Sequence, residues 1–169
     1  MKNKNIIIIG DFICGKSQIL NRLEKNEFSY AHENKLYSFK KIFNIENNQI
    51  LVNFFEAPSE QEKFEQFELK HFDGVIFVFD FGDKDSFIHI GNYFIHEVLE
   101  SNKICNVFGI LGNKCDIYEL DREISLGEVK NYVNKLKIKL KNYFFLFDEV
   151  SAKLNIGIKE FFEKFIKLI

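Results

Sequence analysis

Threonine and tryptophan are absent from this chain, and proline and methionine occur once each. Without threonine, serine is the only aliphatic hydroxyl that can be offered to a metal ion or a phosphate. The three cysteines, Cys14, Cys105 and Cys115, have neither the number nor the spacing of a disulfide framework or a zinc site. That excludes the small stapled secreted folds and fits a reducing, cytoplasmic compartment. A net charge of −2 leaves no basic footprint for nucleic acid or for an anionic membrane surface. The N-terminal apolar run, residues 6–9, is four isoleucines, too short for the core of a secretory leader or for a bilayer span. The lone proline, Pro58, falls in a loop, and no Pro-, Gly- or Ser-rich linker divides the chain, so residues 1–169 read as one domain.

What is abundant is phenylalanine: 21 of them, in a chain that is 46% hydrophobic and 28% charged, a globular composition. Apolar runs alternate with stretches of helical periodicity, which predicts an α/β layer architecture around a largely parallel sheet. Strands are expected at 6–9, 39–46, 49–55, 74–79, 107–111 and 143–147, the second and third joined by a turn at Asn47-Asn48. Run 74–79 is apolar throughout, as in a strand covered on both faces. Helices are expected at 18–25, at 86–99 through Phe87, Ile90, Phe94 and Val98, and at the C-terminus through Ile158, Phe161, Phe162, Phe165 and Ile166. Another opens at Ser125, where Ser125 and Glu128 spell a capping box. The acidic segment 60–68 reads as a solvated helix face, and His32, His71, His89 and His96 lack metal-ligand spacing.

Three motifs carry chemistry. Directly after the first strand stands Gly10-Asp11-Phe12-Ile13-Cys14-Gly15-Lys16-Ser17, followed by Gln18. This G-x-x-x-x-G-K-S spacing between strand and helix marks a phosphate-binding loop, whose backbone N–H groups cradle a polyphosphate. Lys16 is positioned for the β- and γ-phosphates, and Ser17 for Mg²⁺. Second, Asn113-Lys114-Cys115-Asp116 follows the strand at 107–111. The Asp116 carboxylate can accept two hydrogen bonds from guanine N1–H and its exocyclic amine, a donor pair that adenine lacks. Asn113 braces the loop, and the Lys114 stem covers the ring plane. Third, Ser151-Ala152-Lys153 follows the last strand and offers the Ala152 N–H to the guanine oxygen.

With Asn26-Glu27-Phe28, Asp73-Gly74-Val75-Ile76-Phe77-Val78-Phe79-Asp80, Asp85-Ser86-Phe87 and Arg122-Glu123-Ile124-Ser125 added, the chain resembles a small GTPase of the Ras superfamily, most of all its Rab branch. The resemblance spans essentially the whole chain. It implies a P-loop NTPase fold: a six-stranded, mostly parallel sheet with one antiparallel strand, flanked by about five helices. It implies GTP and GDP as ligands with Mg²⁺, and Phe28 packed edge-on against the guanine. Effector or regulator proteins would engage segments 29–38 and 56–70 of a monomer. Membrane attachment would be peripheral, on endomembranes, and conditional on a lipidated tail beyond this chain.

The departures from the pattern gather around the γ-phosphate. The threonine that the family places before the second strand has no counterpart; the matching position is Asn34 or Lys35. The family's Asp-x-x-Gly-Gln is replaced by Glu56-Ala57-Pro58-Ser59-Glu60-Gln61. Glu56 stands for the aspartate that reaches Mg²⁺ through water, and Ser59 or Glu60 replaces the glycine. The catalytic, water-positioning glutamine is Glu60 or Gln61, depending on where one extra residue is counted. Phe12 puts a phenyl ring in the space of the attacking water. The expectation is a guanine-nucleotide-binding GTPase of membrane traffic or signalling with slow hydrolysis and a weakened sense of the γ-phosphate. The alternative is a non-catalytic pseudo-GTPase serving as an interaction module.

Overall fold

The computed structural model describes residues 2–30, 36–60, 64, 72–101 and 105–169. Strand β1 (Lys2–Ile9) runs into the glycine loop, and α1 (Lys16–Lys25) follows it. Strands β2 (Ser38–Ile45) and β3 (Asn48–Glu56) form a hairpin, and β4 is Gly74–Asp80. Next come α2 (Lys84–His89), a π-helical turn (Ile90–Phe94) and α3 (Ile95–Glu100), without a break. Strand β5 (Val107–Asn113), a 3₁₀ turn (Glu119–Asp121), α4 (Leu126–Lys139), β6 (Phe144–Glu149) and α5 (Ile158–Ile166) complete the order.

The six strands lie in the order β2-β3-β1-β4-β5-β6, with β2 antiparallel to β3 and every other pairing parallel. This is the mostly parallel α/β sheet with one antiparallel strand that the sequence leads one to expect. Among the described residues four helical segments flank it, the second interrupted by the π turn. The expected helix face at 60–68 lies mostly outside the described residues.

Alternation along β1 builds both cores. Ile6 and Ile8 join Ile19, Leu20 and Leu23 of α1 and Phe161, Phe162 and Phe165 of α5 on one face. Ile7 and Ile9 join Phe87, Phe94 and Val98 of the α2–α3 segment and Val129, Val133 and Leu136 of α4 on the other. A strand covered on both faces is a nearly continuous apolar run, and every residue of β4 and β5 is buried, including the polar residues Asp80 and Asn113 at their ends. The phenylalanine stripes therefore serve as core, largely in edge-to-face contacts such as Phe79–Phe81 and Phe54–Phe162, both near 5 Å.

The register corrects one expectation. Ile45 pairs with Asn48, so the hairpin loop is Glu46-Asn47, one residue earlier than the Asn47-Asn48 turn expected. Both loop residues have positive φ, 48° and 66°, the primed-turn backbone that matches strand twist. The alternation that buries Phe43 and Ile45 fixes the register and overrides the asparagine preference. The capping box stands as expected: Ser125 Oγ accepts the Glu128 N–H, and the Glu128 carboxylate accepts the Ser125 N–H at 2.9 Å.

Candidate functional site

The motifs converge where β1, β3, β4, β5 and β6 end, at the C-terminal edge of the parallel sheet, the place where open α/β sheets bind ligands. Gly10 must be glycine, because a Cβ there would collide with the carbonyl oxygen of Val78. Gly15 has φ 97° and abuts the Asn113 amide, so neither its backbone nor its space admits a side chain. Ile13 also has positive φ, 62°, which is costly for a β-branched residue. Phe12 and Ile13 are exposed, while Cys14 is buried and its thiol is pushed up to about 11 by desolvation. Cys14 is therefore an inert packing thiol.

Lys16 is buried, yet its ammonium is satisfied. It donates to the carbonyls of Gly10 at 2.8 Å and Asp11 at 2.9 Å, and to Ser59 Oγ at 2.5 Å. The Glu56 carboxylate lies 3.9 Å away. Ser17 Oγ donates to Glu56, 2.8 and 2.9 Å from its two oxygens, and Glu56 also accepts the Tyr37 N–H at 3.1 Å. Hard oxygen donors thus meet at the start of α1. Their chemistry fits Mg²⁺, with Ser17 and Glu56 as the residues that would hold it. The contact between Ser17 and Glu56 is direct.

The three motif loops are tied together by Asn113. Its Nδ2 donates to the Cys14 carbonyl at 2.9 Å, and its Oδ1 accepts the Ala152 N–H at 3.1 Å. The N–H assigned to the guanine oxygen thus has a protein partner here, which a base would have to share or displace. Asp116 Oδ1 accepts the Ser151 hydroxyl at 2.6 Å, and Ser151 Oγ in turn accepts the Leu154 N–H. Lys114 has φ 60°, and its ammonium meets Asp80 Oδ2 at 2.5 Å. Phe28 is half-buried, with Tyr30 edge-on at 5.0 Å and the Arg22 guanidinium 5.8 Å from its ring. Gln18 Oε1 accepts the Ser29 N–H. Lys153 contributes its carbonyl, which accepts from Arg22.

Several residues around the site lie outside the three nucleotide motifs. Arg22 joins α1 to the third motif, and Tyr37 holds Glu56. Arg122 donates to the Cys115 carbonyl and pairs with Glu149, both at 2.8 Å, with its guanidinium 4.2 Å from the centre of the Phe81 ring. Strand register was the available clue for Asp80, since it pairs with Asn113, the residue before Lys114. His89 lies 2.6 Å from Asp11 of the phosphate loop. On α3 one ligand atom each of His96, Glu97 and Glu100 lies within 4.8 Å of the others, an acidic grouping of a kind common on helix surfaces without an ion. Glu60 is exposed beyond Ser59, whereas Gln61, Asn34, Lys35, His32 and His71 lie outside the described residues. No helix among the described residues is long and apolar enough to cross a membrane.

Comparison with known proteins gives the same picture. The Ras family pattern matches residues 5–169. The Ras-related protein RabZ of Dictyostelium discoideum is 28% identical over 167 residues, covering 94% of this chain and 68% of that protein. The Ras-related protein Rab-21 of Homo sapiens is 29% identical over 164 residues, covering 93% and 68%. The Ras-related protein Rab-1 of Theileria parva is 28% identical over 171 residues, covering 97% and 73%.

Proposed function

The chain belongs to the Ras family, and from that premise we propose that it is a Rab-like, guanine-nucleotide-binding small GTPase that hydrolyses GTP slowly and senses the γ-phosphate weakly. The observation that carries the binding reading is the Asn113 amide, which joins the phosphate loop to the Ala152 loop beside Asp116. Diphosphate cradle and purine pocket are thereby held as one unit. The buried ammonium of Lys16 and the N–H groups of the loop would take the phosphates, Asp116 the guanine edge, and Phe28 and the Lys114 stem the ring. Ser17 and Glu56 would hold Mg²⁺, which would supply neutralisation of phosphate charge.

The weak γ-phosphate sensing follows from residues that the chain lacks and from one contact that it makes. No threonine exists to supply a hydroxyl, and Ser59, near the missing glycine, occupies one of the three donor directions of Lys16. A terminal phosphate would have to displace that hydroxyl, so part of its binding energy would go to breaking an existing bond. A ligand moves a conformational equilibrium only by its difference in affinity between the two states. The Lys16–Ser59 bond also favours the second reading, a nucleotide-holding pseudo-GTPase that acts as an interaction module. In either case the partners would be effector or regulator proteins at segments 29–38 and 56–70. Membrane traffic is the setting that the Rab resemblance suggests, at endomembranes if a lipidated tail is present.

Two measurements separate the readings. Mass analysis of the nucleotide released on denaturing the purified protein should find GDP or GTP, and a chain that retains neither at micromolar levels sinks the binding reading. Single-turnover hydrolysis of bound GTP with Mg²⁺ should be slow but measurable; a flat trace selects the interaction module.

A further inference from the structure

We infer that Asp80, which lies outside the three nucleotide motifs, is the positioning residue that stretches Lys114 across the purine site and so sets how long a guanine nucleotide stays bound; the inference rests on the guanine-binding reading above. Strands β4 and β5 run parallel, and their last paired residues are Asp80 and Asn113. The next residue, Lys114, has φ 60°, a backbone that few side-chain-bearing residues adopt without compensation. Its ammonium lies 2.5 Å from Asp80 Oδ2.

Asp80 is held through one carboxylate oxygen and through both of its backbone polar groups. Oδ1 of Asp80 accepts the Gly82 N–H at 2.8 Å, the Asp80 N–H donates to buried Ser86 Oγ at 3.0 Å, and its carbonyl accepts the Asp83 N–H at 3.0 Å. The Asp80 side chain is only 11% exposed, whereas Lys114 remains 40% exposed. A fixed, nearly buried anion thus anchors the tip of a long side chain whose methylenes stay open to solvent. An unanchored lysine has many rotamers to lose when a ring lies on it. Asp80 removes that loss in advance, which is preorganisation. A role limited to the turn after β4 would need the Gly82 contact alone.

The test is the release rate of N-methylanthraniloyl-GDP from the wild type, Asp80→Asn, Lys114→Met and the double variant. Asparagine keeps an oxygen for Gly82, so the turn survives. Asp80→Asn should speed release about tenfold, Lys114→Met at least as much, and the double variant no more than Lys114→Met alone. The preference for GDP over IDP, which Asp116 sets, should be unchanged in Asp80→Asn. Asp80→Glu, which restores the charge, should recover part of the residence time. Multiplicative effects in the double variant, an unaltered rate in Asp80→Asn, or a changed GDP/IDP ratio would overturn the role of Asp80 while leaving the guanine site standing. A wild type that binds no GDP overturns both.

Discussion

Arg22 Nε donates to the Ala152 carbonyl at 2.7 Å, a bond that spans 130 residues and ties the helix after the phosphate loop to the loop that closes the base site. A second guanidinium nitrogen reaches the Lys153 carbonyl at 2.9 Å. Only the Ala152 bond is partly buried, and a hydrogen bond that involves a charged group contributes about 1.5–3 kcal/mol. Arg22→Ala should therefore lower unfolding stability by about 2 kcal/mol in urea titrations and weaken GDP binding with it. Arg22→Lys should not restore both contacts, because an ammonium cannot present the planar fork.

Asp116→Asn tests the purine pocket. The change reverses one hydrogen-bonding group of the pair and should lower GDP affinity by about 10²-fold or more, while xanthosine diphosphate binding improves. Nucleotide competition in a fluorescence assay reads both, and indifference to the swap removes Asp116 from the base site.

Strain in the phosphate loop makes its own prediction. A left-handed conformation costs a side-chain-bearing residue about 1–2 kcal/mol, and glycine escapes it at some entropic cost in the unfolded chain. Ile13→Gly should therefore raise stability by about 0.5–1 kcal/mol, seen as a higher melting temperature. Ile13→Val, which keeps the branch at Cβ, should not.

Phe12→Gly clears the space over the loop and should raise the single-turnover hydrolysis rate about tenfold, in proportion to a better-placed water. The gain stays modest because the missing threonine is not restored. No change in rate would show that the ring is not the obstacle.

The capping box of α4 gives a pH dependence. Hydrogen bonds from the Ser125 backbone and hydroxyl hold the Glu128 carboxyl below its ordinary range. A folded-state pKa below the unfolded one contributes stability at neutral pH that disappears as pH falls through the folded value. Glu128→Gln should thus melt lower than the wild type at pH 7, and the two melting curves should merge in strong acid.

The glycine-rich turn after β1, the succession of strands and helices along the chain and the capping box of α4 could be read from sequence because each rests on local pattern: glycine spacing, apolar runs, a serine three residues before a glutamate. The hairpin loop was displaced by one residue because its register is set by Phe43 and Ile45 facing the core, a tertiary choice. The roles of Arg22, Asp80 and the Arg122–Glu149 pair carry no local signal, since their partners are distant in sequence and become neighbours only after the sheet forms. Glu56 is placed by the resemblance, but its direct bond to Ser17, 39 residues away, exists only once the chain has folded.

One amide has a broader consequence. Because Asn113 grips the Cys14 carbonyl with one end and the Ala152 N–H with the other, emptying the pocket does not by itself separate the two loops. A protein that catalyses nucleotide exchange would gain most by prising that clasp apart, since opening either side alone leaves the opposite wall in place.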